Sequence, residues 1–250
     1  MAIQRVRSKL EKTNVLLHSD ELRQRIPLTK VWSTSDLELM LNEFEMVYVK
    51  PDHGTFGNGV IRVEKTADHT YTYQLGTKLQ SFASFETMAR SLGQVIKGRK
   101  YLIQQGIHLL TYDKKRFDVR VMVQHNLKQQ WVTTGVIGRV SDPTKVVTNC
   151  HNGGTAMSFE KLMRSHLSTA QIASYQEWLA ELGVATAHQM QTTYKGIKEI
   201  GLDLAIDQSF RPWILEVNTM PDPYIFRKLA DKDIFRRIYR YHAANNRKKK

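Results

Sequence analysis

One cysteine, Cys150, stands in a chain of 250 residues, so no internal disulfide framework can form and the chain fits a reducing interior. No apolar run is long enough to span a bilayer, and Met1-Ala2-Ile3-Gln4-Arg5 shows no signal-peptide pattern. The expectation is an unexported, cytoplasmic protein with no membrane partner. Acidic residues are comparatively scarce: 24 Asp and Glu against 37 Lys and Arg, a formal net charge of +13. That imbalance points to anionic partners (nucleotide, acidic polypeptide or nucleic acid) without choosing among them. The nine histidines have no zinc-like spacing, and there is no internal repeat. No Gly-Lys-Ser/Thr follows the glycine-rich stretch, which excludes a Walker loop.

Two runs near the carboxyl end organise the rest. Ile200, Leu202, Leu204 and Ile206 fall on one face of a strand, and Trp213, Leu215 and Val217 on one face of the next. A turn around Gln208-Ser209 makes the strands antiparallel neighbours, which gathers Asp203, Glu216 and Asn218 on the opposite faces. Buried carboxylates without counter-charge are costly, so a divalent cation is expected there. Mg²⁺ takes few protein oxygens and completes its octahedron with water and phosphate. The alternative is the exposed face of a surface hairpin.

Toward the amino end, residues 5–24 read as one helix with Val6, Leu10, Val15 and Leu17 as its apolar stripe and Lys9 and Lys12 one turn apart. Ser35 and Glu38 have capping-box spacing and open a helix through Phe44. Strands at 46–50 and 60–63 flank a stretch holding Gly54, Gly57 and Gly59, suited to a lid whose N–H groups close over phosphates, with Lys50 at its root. An ordinary glycine-rich hairpin is the alternative. Lys50-Pro51-Asp52-His53-Gly54 is also one residue longer than the Lys-x-Asp-Gly core of covalent nucleotidyl transferases. A helix over 84–97 turns Phe85, Met88, Leu92, Val95 and Ile96 inward. Strands follow at 101–107, 117–123 and 131–140, then an amide-rich loop at 148–154 and a long helix over 168–194. Asp118 and Arg120 share a strand face and could pair with each other.

Taken in order, Lys9, Lys50 before a proline, the glycines to Gly59, Ile103-Gln104-Gln105, Asp118-Val119-Arg120, Asn149 to Gly154, Asp203 and Glu216-Val217-Asn218 resemble the ATP-grasp carboxylate–amine ligases. The separation of the two lysines is similar to that in the ribosomal-protein glutamate ligase branch. Tyr-Leu-Ile-Gln-Gln-Gly, Phe-Asp-Val-Arg-Val, Asn149 with Gly153-Gly154, and Leu-Glu-Val-Asn resemble the YheC/YheD branch, described as endospore-coat-associated. The resemblance implies that Lys9 and Lys50 hold ATP phosphates under the Gly54–Gly59 lid. It implies adenine contacts from Gln104, Gln105, Gly106 and Ile107, and ribose contact from Asp118. Arg139 and Asn149, with Arg120, would face the transferred phosphoryl group. Asp203, Glu216 and Asn218 would hold one or two Mg²⁺ ions, with Mn²⁺ as a substitute.

The implied fold is α+β, an ATP-grasp fold of two lobes with mainly antiparallel sheets clamping ATP. Residues 1–24 contribute a phosphate lysine, 25–105 the small lobe with the lid, 106–243 the large lobe with the metal site, and 244–250 a basic tail. Gln105 stands where many relatives carry glutamate, which leaves nucleotide preference open. No separate amino-terminal domain is expected before Lys9. The acceptor surface is then recruited from a partner or from a second copy in a homo-oligomer, or catalysis has been lost. The expected activity is an ATP- and Mg²⁺-dependent ligase adding an amino acid to an acidic protein, peptide or spore-coat component. Its carboxylate donor and amine acceptor are otherwise unspecified. A non-catalytic, nucleotide-binding coat component and a basic nucleic-acid-binding protein are the alternatives. Asp203→Ala and Glu216→Ala are both expected to abolish activity in a protein that stays folded.

Overall fold

The alternating runs assemble into two antiparallel sheets in the computed structural model, which describes residues 3–68, 70–148 and 153–246. The first sheet has six strands, β1 (Thr29–Val31), β2 (Met46–Pro51), β3 (Ile61–Lys65), β4 (Tyr71–Leu75), β5 (Lys78–Phe82) and β6 (Tyr101–Gln105), in the order β1-β6-β2-β3-β4-β5. Val47, Val49, Ile61, Val63 and Ile103 turn one way and are fully buried against Leu37, Met40 and Leu41 and against Met88 and Leu92. Those residues lie on two amphipathic helices, α3 (Thr34–Phe44) and α4 (Phe85–Ile96). Lys50 and Gln104, of opposite parity, are left on the other face.

The second sheet runs β10-β9-β8-β11-β12, with β8 (Lys115–His125), β9 (Trp131–Val140), β10 (Thr155–Ser158), β11 (Glu199–Ile206) and β12 (Pro212–Asn218); β7 (Thr111–Tyr112) pairs with β8. Phe117, Val119, Val121 and Val123 pack with Ile200, Leu202, Leu204 and Ile206 under α6 (Thr169–Thr193), which a Ser168/Gln171 capping box starts. Val15 and Leu16 of α1 (Lys9–Leu17) and Leu22 of α2 (Asp20–Arg23) join this core, as does Phe159 of α5 (Phe159–Met163). On the reverse face, Met122 and Ile137 are covered by Phe226 of a 3₁₀ turn (Tyr224–Lys228) and Ile238 of α7 (Lys232–Asn246). The uncovered part of that reverse face is one wall of a cleft.

Five local expectations are corrected. The amino-terminal helix is two helices, because Ser8 and Ser19 each cap a separate one: the Ser8 hydroxyl accepts from Glu11 N–H and the Ser19 hydroxyl from Leu22 N–H. Its buried side is Lys9, Lys12, Val15 and Leu16, while Leu17 is exposed. The α3 cap is Ser33, accepting from Asp36 N–H, so the Ser35/Glu38 pair lies inside the helix. Val95 faces outward. The most consequential change is a β-bulge between Asp203 and Leu204, which places Glu216 opposite Asp203 but Ile214 opposite Leu204. Ile214 and Val217 therefore enter the core, and Leu215, counted inward by strict alternation, lines the cleft.

Candidate active site

Between the two sheets lies a cavity of about 460 Å³. Its walls take residues from the glycine loop, β2, β6, β8, β9, β11 and β12. Because β2 ends in Lys50-Pro51, the strand delivers the lysine to the cleft before the chain enters the loop. There Phe56, Gly57 and Gly59 all have positive φ, at 59°, 72° and 76°; the two glycines adopt it without the strain a side chain would add. The loop lines the cavity, as a lid would.

Three lysines occupy this end. Lys50 Nζ donates to Gln104 Oε1 at 2.8 Å and to the Leu215 carbonyl at 3.2 Å, an acceptor exposed beside the bulge. Burial lowers its pKa to about 8; Glu216 opposes that shift, and the nearby Lys9 and Lys12 reinforce it. Lys9 donates to the Gly54 carbonyl at 3.0 Å and lies 3.4 Å from Glu216 Oε1. Lys12 reaches the same oxygen at 3.6 Å, and burial lowers its pKa despite Glu216. The first turn of α1 is anchored by buried Asp52, which accepts from the Ser8 hydroxyl and from Leu10 N–H at 2.9 Å each. Burial opposes the Asp52 charge, but these donors hold its pKa below the usual carboxylate value.

Two arginines occupy the other end. Asp118 and Arg139, paired across β8 and β9, form a two-pronged ion pair at 2.7 and 2.6 Å, and Thr148 donates to Asp118 at 2.5 Å. Arg120, Asp203 and Glu216 stand in one cross-strand row. Arg120 binds both oxygens of Asp203, one of them at 3.0 Å, and Arg139 reaches Asp203 at 3.1 Å. Burial would raise the Asp203 pKa, but the two guanidiniums bring it down to about 2, while the carboxylates raise that of Arg139. Room for Arg120 exists because position 201 is glycine: a Cβ there would lie 3.2 Å from Arg120 Cδ and 2.9 Å from Pro221 Cβ.

Most of the anticipated residues converge. Lys9, Lys50, the loop glycines Gly54 and Gly57, Gln104, Gln105, Ile107, Asp118, Arg120, Arg139, Asp203, Glu216 and Asn218 all line the cavity. Gly59 lies just past them, where a Cβ would approach Tyr101 Oη to 3.1 Å, and Gly106 lets the backbone pass Met46, whose carbonyl oxygen would be 2.7 Å from a Cβ. Asn149 and Cys150 are outside the described residues. Asp118 and Arg120 do not pair with each other; their partners are Arg139 and Asp203. Gln105 is held at the strand junction, its Oε1 accepting from Leu28 N–H at 3.2 Å. Asp52, which the transferase pattern would set beside a nucleophilic lysine, is bound to α1 instead.

The premise for a metal also changes. Asp203 and Glu216 are not without counter-charge, since arginines and lysines neutralise them. The donor set nevertheless suits Mg²⁺: Asp203 and Glu216 offer carboxylate oxygens on one sheet face, and the Asn218 amide, whose Nδ2 now donates to Asp203 Oδ2 at 3.2 Å, would offer its Oδ1 to a cation. Among the described residues no three His, Cys, Asp or Glu cluster, so phosphate and water oxygens would complete the shell. Sequence reasoning passed over Lys12, Tyr48, Arg116 and Thr148. Lys12 had a usable signal, its spacing from Lys9. Arg116 donates to Tyr48 Oη at 3.3 Å from across the cleft, a contact no local pattern encodes.

A family model described as YheC/D like ATP-grasp matches residues 3–244. The endospore coat-associated protein YheD of Bacillus subtilis (strain 168) is 26% identical over 196 residues, covering 76% of this chain and 42% of YheD. YheC of the same strain is 23% identical over 199 residues, 78% of this chain and 54% of YheC. The chain thus spans about half the length of these relatives. Among solved structures, the D-cycloserine synthetase DcsG superposes with a TM-score of 0.59 at 13% identity, over 96% of this chain and 70% of that one. The ADP complex of PurK, the N5-carboxyaminoimidazole ribonucleotide synthetase, gives 0.55 at 10% identity, over 95% and 51%. These likenesses are of fold. No helix among the described residues is long and apolar enough to cross a membrane.

Proposed function

Because this chain belongs to the YheC/D-like ATP-grasp family, we propose that it is an ATP- and Mg²⁺-dependent ligase joining a carboxylate to an amine through an acyl phosphate. The supporting observation is that Lys9, Lys50, Arg120 and Arg139, brought by α1, β2, β8 and β9, meet Asp203 and Glu216 in one cleft, with Lys12 3.6 Å from Glu216. In this reading the sheet around the glycine loop is the small lobe, residues 25–105, and the rest of the clamp is 106–243.

Lys9, Lys12 and Lys50 neutralise the ATP phosphates, and the glycine loop covers them and keeps water out. A substrate carboxylate oxygen attacks the γ-phosphorus; the bond to the β-phosphate oxygen breaks and ADP leaves. Arg120 and Arg139 steady the charge on the equatorial oxygens. The amine nitrogen then attacks the acyl carbon, inorganic phosphate departs, and the amine proton is lost as the amide forms. Asp203, Glu216 and Asn218 would hold Mg²⁺, which would supply charge neutralisation to the ATP phosphates. No side chain has to act as a covalent nucleophile.

The test is ADP release from Mg·ATP in the presence of pooled amino acids and acidic peptides, with mass analysis of the acceptors. Glu216→Gln is expected to lower acceptor-dependent release by at least about a hundredfold while the melting temperature holds. A second reading, a nucleotide-binding coat component without catalysis, is favoured by the names of the relatives. It prevails if the wild type binds Mg·ATP but releases no ADP with any acceptor. A basic nucleic-acid-binding role would show as salt-sensitive binding that ATP does not displace.

A further inference from the structure

The ligase reading leaves open what kind of molecule brings the carboxylate, and the outer end of the cleft bears on that question. Beyond Asn218 the chain passes Met220, 69% exposed, and enters the 3₁₀ turn, where Tyr224, Ile225 and Lys228 line the cavity mouth. Tyr224 also belongs to a second group. Its ring centroid is 6.1 Å from those of Phe235 and Tyr239 on α7, and these two are 5.7 Å apart. The Arg227 guanidinium lies 5.7 Å from the Phe235 centroid. Tyr224 and Tyr239 remain 50% and 44% exposed, so the rings pack on one another with one side open. Over residues 224–246 the cations are Arg227, Lys228, Lys232, Arg236, Arg237 and Arg240, against Asp231 and Asp233. Some are committed locally: Arg236 pairs with Asp233 at 2.7 Å, and Lys232 and Arg237 donate to backbone carbonyls. The balance stays positive.

We propose that this aromatic and basic surface seats an acidic, extended polypeptide segment whose carboxylate enters the cleft past Tyr224. This inference rests on the ligase reading of the same cleft. Two features select that occupant. The surface is continuous with the cavity through one residue, whereas a free amino acid would need nothing beyond the cavity itself. Its charge complements an acidic chain, and its rings offer broad, rigid contact area to side-chain stems and backbone. The rings are tilted by 35° to 51° from one another, which gives no parallel ladder for successive bases. A phosphodiester chain also has no carboxylate to activate.

The experiment uses the full chain and a fluorescein-labelled peptide of about ten glutamates, read by anisotropy, beside kinetics with free glutamate. Peptide binding should weaken with added salt. Tyr239→Ala with Arg227→Glu, both outside the cavity lining, should weaken it about tenfold without moving the melting temperature or Mg·ATP affinity. KM for the peptide should rise and that for free glutamate should not. Equal peptide affinity in wild type and variant overturns the proposal. So does an oligonucleotide that displaces the peptide, or a dimer in light scattering that the same substitutions dissolve. If Mg·ATP does not bind at all, the ligase reading falls, and with it the delivery of this carboxylate to the cleft.

Discussion

Asp203 and Glu216, two carboxylates of the cleft directly opposite each other on β11 and β12, are held in unlike ways. Glu216 meets two ammonium groups at 3.4 and 3.6 Å, point charges on flexible stems, and its side chain keeps 22% of its exposure. Asp203 is gripped by two guanidinium groups, Arg120 on both its oxygens and Arg139 on one, with Arg139 simultaneously two-pronged on Asp118. A planar fork fixes direction as well as charge, whereas an ammonium can exchange one oxygen for another with little loss. The arginine end is therefore fixed in direction by the folded framework, and on the proposed reading the lysines are the groups free to exchange a carboxylate oxygen for a phosphate one.

The largest expected effect separates the ends outright. Asp203→Ala leaves Arg120 and Arg139 short of a buried partner and should destabilise the protein by about 3–5 kcal/mol, as breaking a buried pair does. Glu216→Gln should change stability by less than about 1 kcal/mol. Urea denaturation of both variants measures this, and equal midpoints would dissolve the distinction. The expectation that either position could be altered in an intact protein is thus narrowed to Glu216.

A smaller effect concerns the cation. With Lys12→Met, one of the two charges occupying Glu216 is gone, so Mn²⁺ binding without nucleotide should strengthen about tenfold, the size of one partly buried charge contact. Electron paramagnetic resonance titration reads it directly. Unchanged affinity would mean that the lysines do not compete with a cation at Glu216.

The smallest effect is in protons. Lys50 is pulled down to about 8 by burial, so above that pH it is largely neutral in the free protein. Nucleotide phosphates favour the charged form, so binding at pH 9 should take up most of one proton, and affinity should fall as pH rises past 8. The unfolded chain, with its ordinary lysine, holds the extra proton between 8 and 10.5, so this group's contribution to stability grows with pH across that window. Calorimetry in buffers of different ionisation enthalpy should show uptake in the wild type and none in Lys50→Met. Asp203 has the same sign in a lower window: the stability its arginine pairs add is complete above pH 3.8 and is lost as pH falls through about 2.

Much of this architecture is legible in the chain because alternation is strict wherever one sheet face is fully buried, as in Phe117 to Val123 and Ile200 to Ile206. Glycine punctuation likewise marks the loop between β2 and β3. Legibility fails where a single hydrogen bond resets a register. The Ser19 cap divides what reads as one helix, and one bulge moves Leu215 from core to cleft. It fails again where identity depends on a distant partner. Asp118 and Arg120 are neighbours on a strand face, but each finds a fork partner on the adjacent strand. Lys12, one turn from Lys9, is not singled out by the sequence because α1 is short and its buried side carries as much charge as apolar surface.

Asp52 has a mechanical consequence. Its carboxylate fastens the start of α1 to the root of the glycine loop, while Val15 and Leu16 at the other end of the same helix are embedded beneath the opposite sheet. Nine residues thus act as a fulcrum between the jaws. If the sheet that carries Lys50 and Asp52 were to move against the other, this anchor would tie α1 to it, and Lys9 and Lys12 would be drawn along with Lys50.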